Sequence, residues 1–82
     1  MNTTVQVSVT AQDISNKSEC PVFAAIRRAT PKTRTLRVLE KEALLGSEFA
    51  YLPNDARLAV QRFDQRQSHL IRPFTFTLHF KL

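Results

Sequence analysis

With a single cysteine, Cys20, the chain cannot close an intrachain disulfide, and no Cys/His cluster has zinc spacing, so neither usual staple of small domains is available. One glycine, Gly46, excludes the Gly-rich phosphate cradles, which need several glycines for close backbone approach. Trp is absent, and the longest apolar run, residues 22–26, is far below the ~20 residues of a membrane-spanning helix. Residues 1–4 lack the basic and apolar regions of a signal peptide, so a cytoplasmic protein without membrane association is expected. What is present is 82 residues, 43% of them hydrophobic, including six Phe. That is one small domain, residues 1–82, held by packing alone.

Hydrophobic periodicity sets the expected architecture. Residues 4–10 alternate Val5, Val7 and Val9 against polar neighbours, the period of a strand with one buried face. Residues 11–17 read as a polar connection. Ser18 is placed to cap a first helix over 19–29, with Val22, Phe23, Ile26 and Ala29 on one face and Thr30-Pro31 as its stop. Residues 33–40 read as a second strand through Leu36 and Val38, and 41–45 as a hairpin arm turned by Gly46. Residues 49–52 make a third strand ended by Pro53. Asn54 or Asp55 caps a second helix, with Ala56, Ala59, Val60 and Phe63 on one face. After a polar exit over 65–72, residues 73–82 alternate Phe74, Phe76, Leu78, Phe80 and Leu82 against Thr75, Thr77, His79 and Lys81, the clearest strand pattern in the chain. The β-α-β-β-α-β order predicts an α+β fold, two helices on one face of a four-stranded antiparallel sheet in the ferredoxin-like arrangement.

Several short segments carry a resemblance. Val9-Thr10-Ala11-Gln12-Asp13-Ile14, Cys20-Pro21-Val22 with Ala24-Ala25-Ile26, Leu52-Pro53, Phe63-Asp64 and Pro73-Phe74-Thr75-Phe76 resemble small uncharacterised prophage-encoded bacterial proteins. Most of the chain is covered. The resemblance implies a compact α+β domain and brings no activity, cofactor or site residue.

The chemistry-bearing residues do not assemble an enzyme in sequence. Cys20 falls in the first turn of the first helix, where a thiol pKa can be lowered, but neither His69 nor His79 is placed beside it. A half-buried small hydrophobe is the plainer reading of Cys20, and solvated side chains that of the two histidines. Glu40 and Glu42 share a face of an extended arm without a pocket to raise either pKa. No cofactor and no metal are expected, and the protein is read as non-enzymatic.

The net charge of +5 is concentrated in Arg27, Arg28, Lys32, Arg34 and Arg37, a stretch without an acid and a candidate phosphate-binding surface. Arg57, Arg62, Arg66 and Arg72 extend the basic count; eight of the twelve basic residues are Arg, which suits either phosphate or internal carboxylate pairing. Residues 48–52 are similar to part of the signature by which RNA-recognition motifs stack bases, which makes Phe49 and Tyr51 candidate stacking residues. They depart from it at Glu48, where a Gly is wanted, and at Ser47, where Lys or Arg is; on the first strand Gln6 stands for an aromatic. The other reading of Phe49 and Tyr51 is core packing, which leaves an outer sheet face of Thr4, Gln6, Ser8, Thr35, Arg37, Thr75, Thr77 and His79, poor for stacking. On balance the sequence points to a protein-binding or accessory module acting as a monomer or weak dimer, with nucleic-acid binding as the alternative.

Overall fold

The computed structural model describes residues 3–81, so the expectation that Leu82 extends the last strand falls outside the described residues. The strands are β1 (Thr3–Val9), β2 (Leu36–Val38), β3 (Glu42–Leu45), β4 (Glu48–Tyr51) and β5 (Phe74–Phe80). The helices are α1 (Ala11–Ser15), α2 (Pro21–Ala29) and α3 (Asn54–Asp64), with a short 3-10 turn at Ser68–Leu70.

Strands and helices divide as the alternation predicts, but the sheet does not close as one four-stranded layer. β1 pairs with β5 along a seven-residue antiparallel ladder, while β2, β3 and β4 form a separate antiparallel meander. Among the described residues one bridge joins the two sheets: Phe49 and Lys81 exchange both backbone bonds, at 2.8 and 2.9 Å. A ferredoxin-like order would set β1 between the last strand and the hairpin, whereas here β5 takes that inner place. A physical reason lies at the far edge of β1. Ser8 directs its carbonyl away from β5, and the Arg28 guanidinium takes that carbonyl at 2.9 Å, occupying a group that a further strand would need.

Residues 11–17 are not a loop at their start. Thr10 and Asp13 form a reciprocal capping box, Thr10 N–H to Asp13 Oδ2 at 2.9 Å and Asp13 N–H to Thr10 Oγ1 at 3.2 Å, which nucleates the single turn of α1. The next helix begins at Pro21, two residues later than expected. Its N-cap is Cys20 rather than Ser18, and Pro at the first position needs no N–H partner. Strand two is also shorter than its pattern. Helix α3 closes with the 6→1 and 5→2 bonds of a Schellman motif, from Gln67 N–H to Arg62 O and from Arg66 N–H to Phe63 O; Arg66 takes the left-handed position at φ 60°.

The helices cover one side of both sheets. Val7, Val9, Phe76, Leu78 and Phe80 meet Val22, Ala25 and Ile26 of α2 and Ala56, Ala59 and Val60 of α3, and the meander adds Ala43, Leu45 and Ala50. The expected core residues Val5, Leu36, Val38, Phe63 and Phe74 pack against this cluster in half-buried positions. Leu52 and Ile71 complete it, and the alanines at 25, 43 and 50 let strands and helices approach closely without showing a strong periodic signal.

The β3–β4 turn depends on Gly46. Gly46-Ser47 is a two-residue hairpin loop, the glycine has φ 61°, and this is the Gly-first pattern of a II′ turn. A methyl group there would meet the Arg34 guanidinium at 3.4 Å, a contact that can be accommodated, so backbone strain dominates the cost. Gly46→Ala is expected to destabilise by about 1 kcal/mol, lowering Tm by about 4–8 °C in a domain of this size. An unchanged Tm by circular dichroism would contradict this account of the turn.

Candidate functional site

The five clustered cations do not form one free surface. Arg27 pairs with Glu19, and Arg34 pairs with the buried Glu48 while donating to the Leu45 carbonyl at 3.0 Å. Arg28 grips Asp13 through both carboxylate oxygens, each at 2.9 Å. Asp13 is buried, and the guanidinium hydrogen bonds hold its carboxyl down at about 2, with burial opposing and the Thr10 bonds assisting. Three arginines of the cluster are therefore neutralised by three carboxylates that the linear sequence does not place beside them. Lys32 and Arg37 have no ion-pair partner among the described residues. Arg27, Arg28, Lys32 and Arg34 line two neighbouring depressions around the end of α2, and Arg37 stands apart on β2.

Arg37 faces the side of the sheets that the helices leave open. Side chains alternate across each strand, so the positions between the buried ones lie together on this side: Arg37 on β2, Glu42 and Leu44 on β3, Phe49 and Tyr51 on β4, and Thr75, Thr77 and His79 on β5, with Lys81 just past its end. Strand registers align one transverse row, Arg37–Leu44–Phe49–Lys81, with a cation at each end and apolar side chains between. The row spans three strand spacings, about 14 Å.

The open face is thus not the purely polar surface that core packing of both aromatics would leave. Tyr51 is 68% exposed, and Phe49 is half-buried. Their rings meet edge to face, centroids 5.6 Å apart and planes at 84°, a geometry favoured by the aromatic quadrupole. The Lys81 ammonium lies 5.9 Å from the Phe49 centroid, and Thr4 Oγ1 lies 3.4 Å from His79 Nδ1. Glu42 is the one acid among the described strand positions of this face.

Comparison with protein-family models, curated proteins and solved structures returns no match. The functional reading therefore rests on the geometry of this chain.

The remaining candidates sit separately. Cys20 is half-buried at the start of α2, and burial pushes its thiol up, away from the thiolate that a nucleophile needs. His69 lies on the 3-10 turn and His79 on the open face. Glu40 lies outside β3, so it does not share the strand with Glu42. No group of three or more metal-ligating side chains occurs among the described residues, and none of their helices is long and apolar enough to cross a membrane.

The transverse row was missed in the sequence because Lys81 and Phe49 lie 32 positions apart and meet only through the bridge between sheets. The available signal was the shared alternation phase of residues 49, 51, 79 and 81.

Proposed function

We propose that this protein binds single-stranded nucleic acid across its open sheet face, with RNA as the first probe. The observation carrying the reading is the edge-to-face pair of half-buried Phe49 and exposed Tyr51, with Phe49 in the row between Arg37 and Lys81 and Tyr51 beside it, opposite Glu42. Exposed aromatic faces stack unpaired bases regardless of sequence, and flanking cations take the phosphates. Phe49 would release Lys81 from its ring as a base stacks and a phosphate takes the ammonium. The clustered arginines around α2 support phosphate contact less well, since their own carboxylates already hold three of them. The departure at Glu48 leaves the aromatic pair in place, because Glu48 is turned inward to Arg34 while Phe49 and Tyr51 face the other side.

Salt dependence separates the two surfaces. Two phosphate contacts, from Arg37 and Lys81, should cost about sevenfold in affinity for a single strand between ~50 and ~200 mM salt, whereas four or five contacts would cost roughly fiftyfold or more. The test is anisotropy of a labelled single-stranded RNA, with duplex DNA as comparison. Tyr51→Ala should weaken binding about fivefold to a hundredfold, the loss of one stacked base, and Lys81→Glu should reduce both affinity and salt slope. No binding at low salt, a preference for duplex, or loss of binding in a Lys32→Glu variant but not in Tyr51→Ala would overturn the proposal.

A further inference from the structure

Four large hydrophobic side chains are exposed among the described residues, and two of them share one depression. Leu58 on α3 is 45% exposed and Leu70 on the 3-10 turn 42%, and both line a groove of about 200 Å3 together with Phe74. This groove lies on the helical side of the molecule, away from the open sheet face.

Two arginines border it in a state different from those around α2. Arg62 donates to the Leu70 carbonyl at 2.8 Å, and Arg72 to the His69 carbonyl at 3.0 Å. Neither meets a carboxylate among the described residues, whereas Arg27, Arg28 and Arg34 all do. Backbone carbonyls orient these two guanidinium groups without neutralising them. Each keeps further N–H donors for an outside acceptor. Asp55 is the single carboxylate in the lining, so the groove is apolar with a net positive border.

We propose that this groove binds an acidic, amphipathic segment of another protein, with an aliphatic side chain seated between Leu58 and Leu70 and carboxylates on Arg62 and Arg72. A helix presenting apolar anchors three or four residues apart, with acids between them, matches both features. Nucleic acid fits this place poorly: the exposed lining is aliphatic, and Phe74 is half-buried with its ring stacked on Phe76 at 5.6 Å, leaving no platform for a base. A second copy matches a helical acidic segment less well: Asp13, Glu19 and Glu48 are held by internal arginines, Glu40 and Glu42 lie beside and on strand β3, and Asp55 already lines the groove.

The probe is a synthetic helical peptide of about 12 residues with leucines three and four apart and glutamates elsewhere, compared with its lysine counterpart. Amide shifts of the labelled protein should move at Leu58, Leu70 and Arg72 with the glutamate peptide and stay in place with the lysine one. Arg72→Glu should weaken the glutamate peptide at least about tenfold, as expected for loss of a charge-assisted contact, and strengthen the lysine peptide, with Tm unchanged. Leu58→Asp, at a half-exposed position, should weaken the glutamate peptide while the thermal melt stays cooperative. Equal binding of both peptides, no shifts at millimolar peptide, shifts of the same groove amides with single-stranded RNA, or concentration-dependent self-association through these amides would each overturn the proposal. Because the RNA test reads Tyr51 and Lys81 on the opposite side, either proposal can fail without the other.

Discussion

Phe80→Ala is expected to be among the most damaging single substitutions in this protein, costing about 3–5 kcal/mol. Its side chain is wholly buried at 0% exposure. It sits at the last described position of the β1–β5 ladder, opposite Thr3, and immediately before Lys81, whose backbone bridges to β4. Truncation therefore opens a cavity where the two sheets meet, and few contacts there can collapse into it. A domain of this length has a total stability of about 4–12 kcal/mol, so the variant retains little or none of it. Urea unfolding should show a strongly lowered midpoint or a chain already unfolded in buffer. Leu39→Ala, at 39% exposure, provides the comparison and should change stability by no more than about 0.5 kcal/mol. A loss below about 1.5 kcal/mol for Phe80→Ala would mean that the joint between sheets repacks freely.

The second large effect is acid lability through Asp13. Its carboxyl caps α1, binds Arg28 through both oxygens, and through Arg28 ties α2 to the Ser8 carbonyl of β1. In the folded protein it titrates at about 2, below its ordinary 3.8. A lowered folded value means that the unfolded chain takes up the proton first. The stabilisation is thus fully present above pH ~4 and is lost as the pH falls through 3.8 toward 2. The size of the shift corresponds to about 2 kcal/mol. Unfolding free energies measured from pH 5 down to 2 should fall by about that amount more in the wild type than in Asp13→Asn. The variant should already be weaker at neutral pH by about 2 kcal/mol, since the buried side chain at 13 no longer offers a charge to the half-exposed Arg28 guanidinium. Parallel pH profiles for the two proteins would show that the pair does not couple α1, α2 and β1.

Much of the fold is legible from periodicity. The alternation at 73–82 and at 4–10 locates β5 and β1, and the apolar faces at Val22, Phe23 and Ile26 and at Ala56, Ala59, Val60 and Phe63 locate the two longer helices. Gly46 marks the hairpin because a two-residue turn with positive φ has few other solutions. Helix α1 escaped because five residues are too few for an apolar face; its signal is the Thr10–Asp13 capping pair, three positions apart. The basic cluster read as a free surface because its neutralising acids lie 8, 15 and 14 positions away along the chain, at Glu19, Asp13 and Glu48.

Local chemistry acts over a few residues, so the sequence by itself determines where this chain forms its longer strands and two longer helices, which side of each is apolar, and that no intrachain disulfide or Gly-rich cradle is involved. Strand order, the division into two sheets and the availability of each cation depend on partners far away in sequence. They are decided by long-range choices: β5 lies inside β1, Arg28 takes the Ser8 carbonyl, and Lys81 meets Phe49. The tertiary structure alone turns Phe49 and Tyr51 to the open side and sets Phe49 in a row between two cations, because burying Ala50 and Glu48 on the helical side leaves their strand neighbours facing the open side.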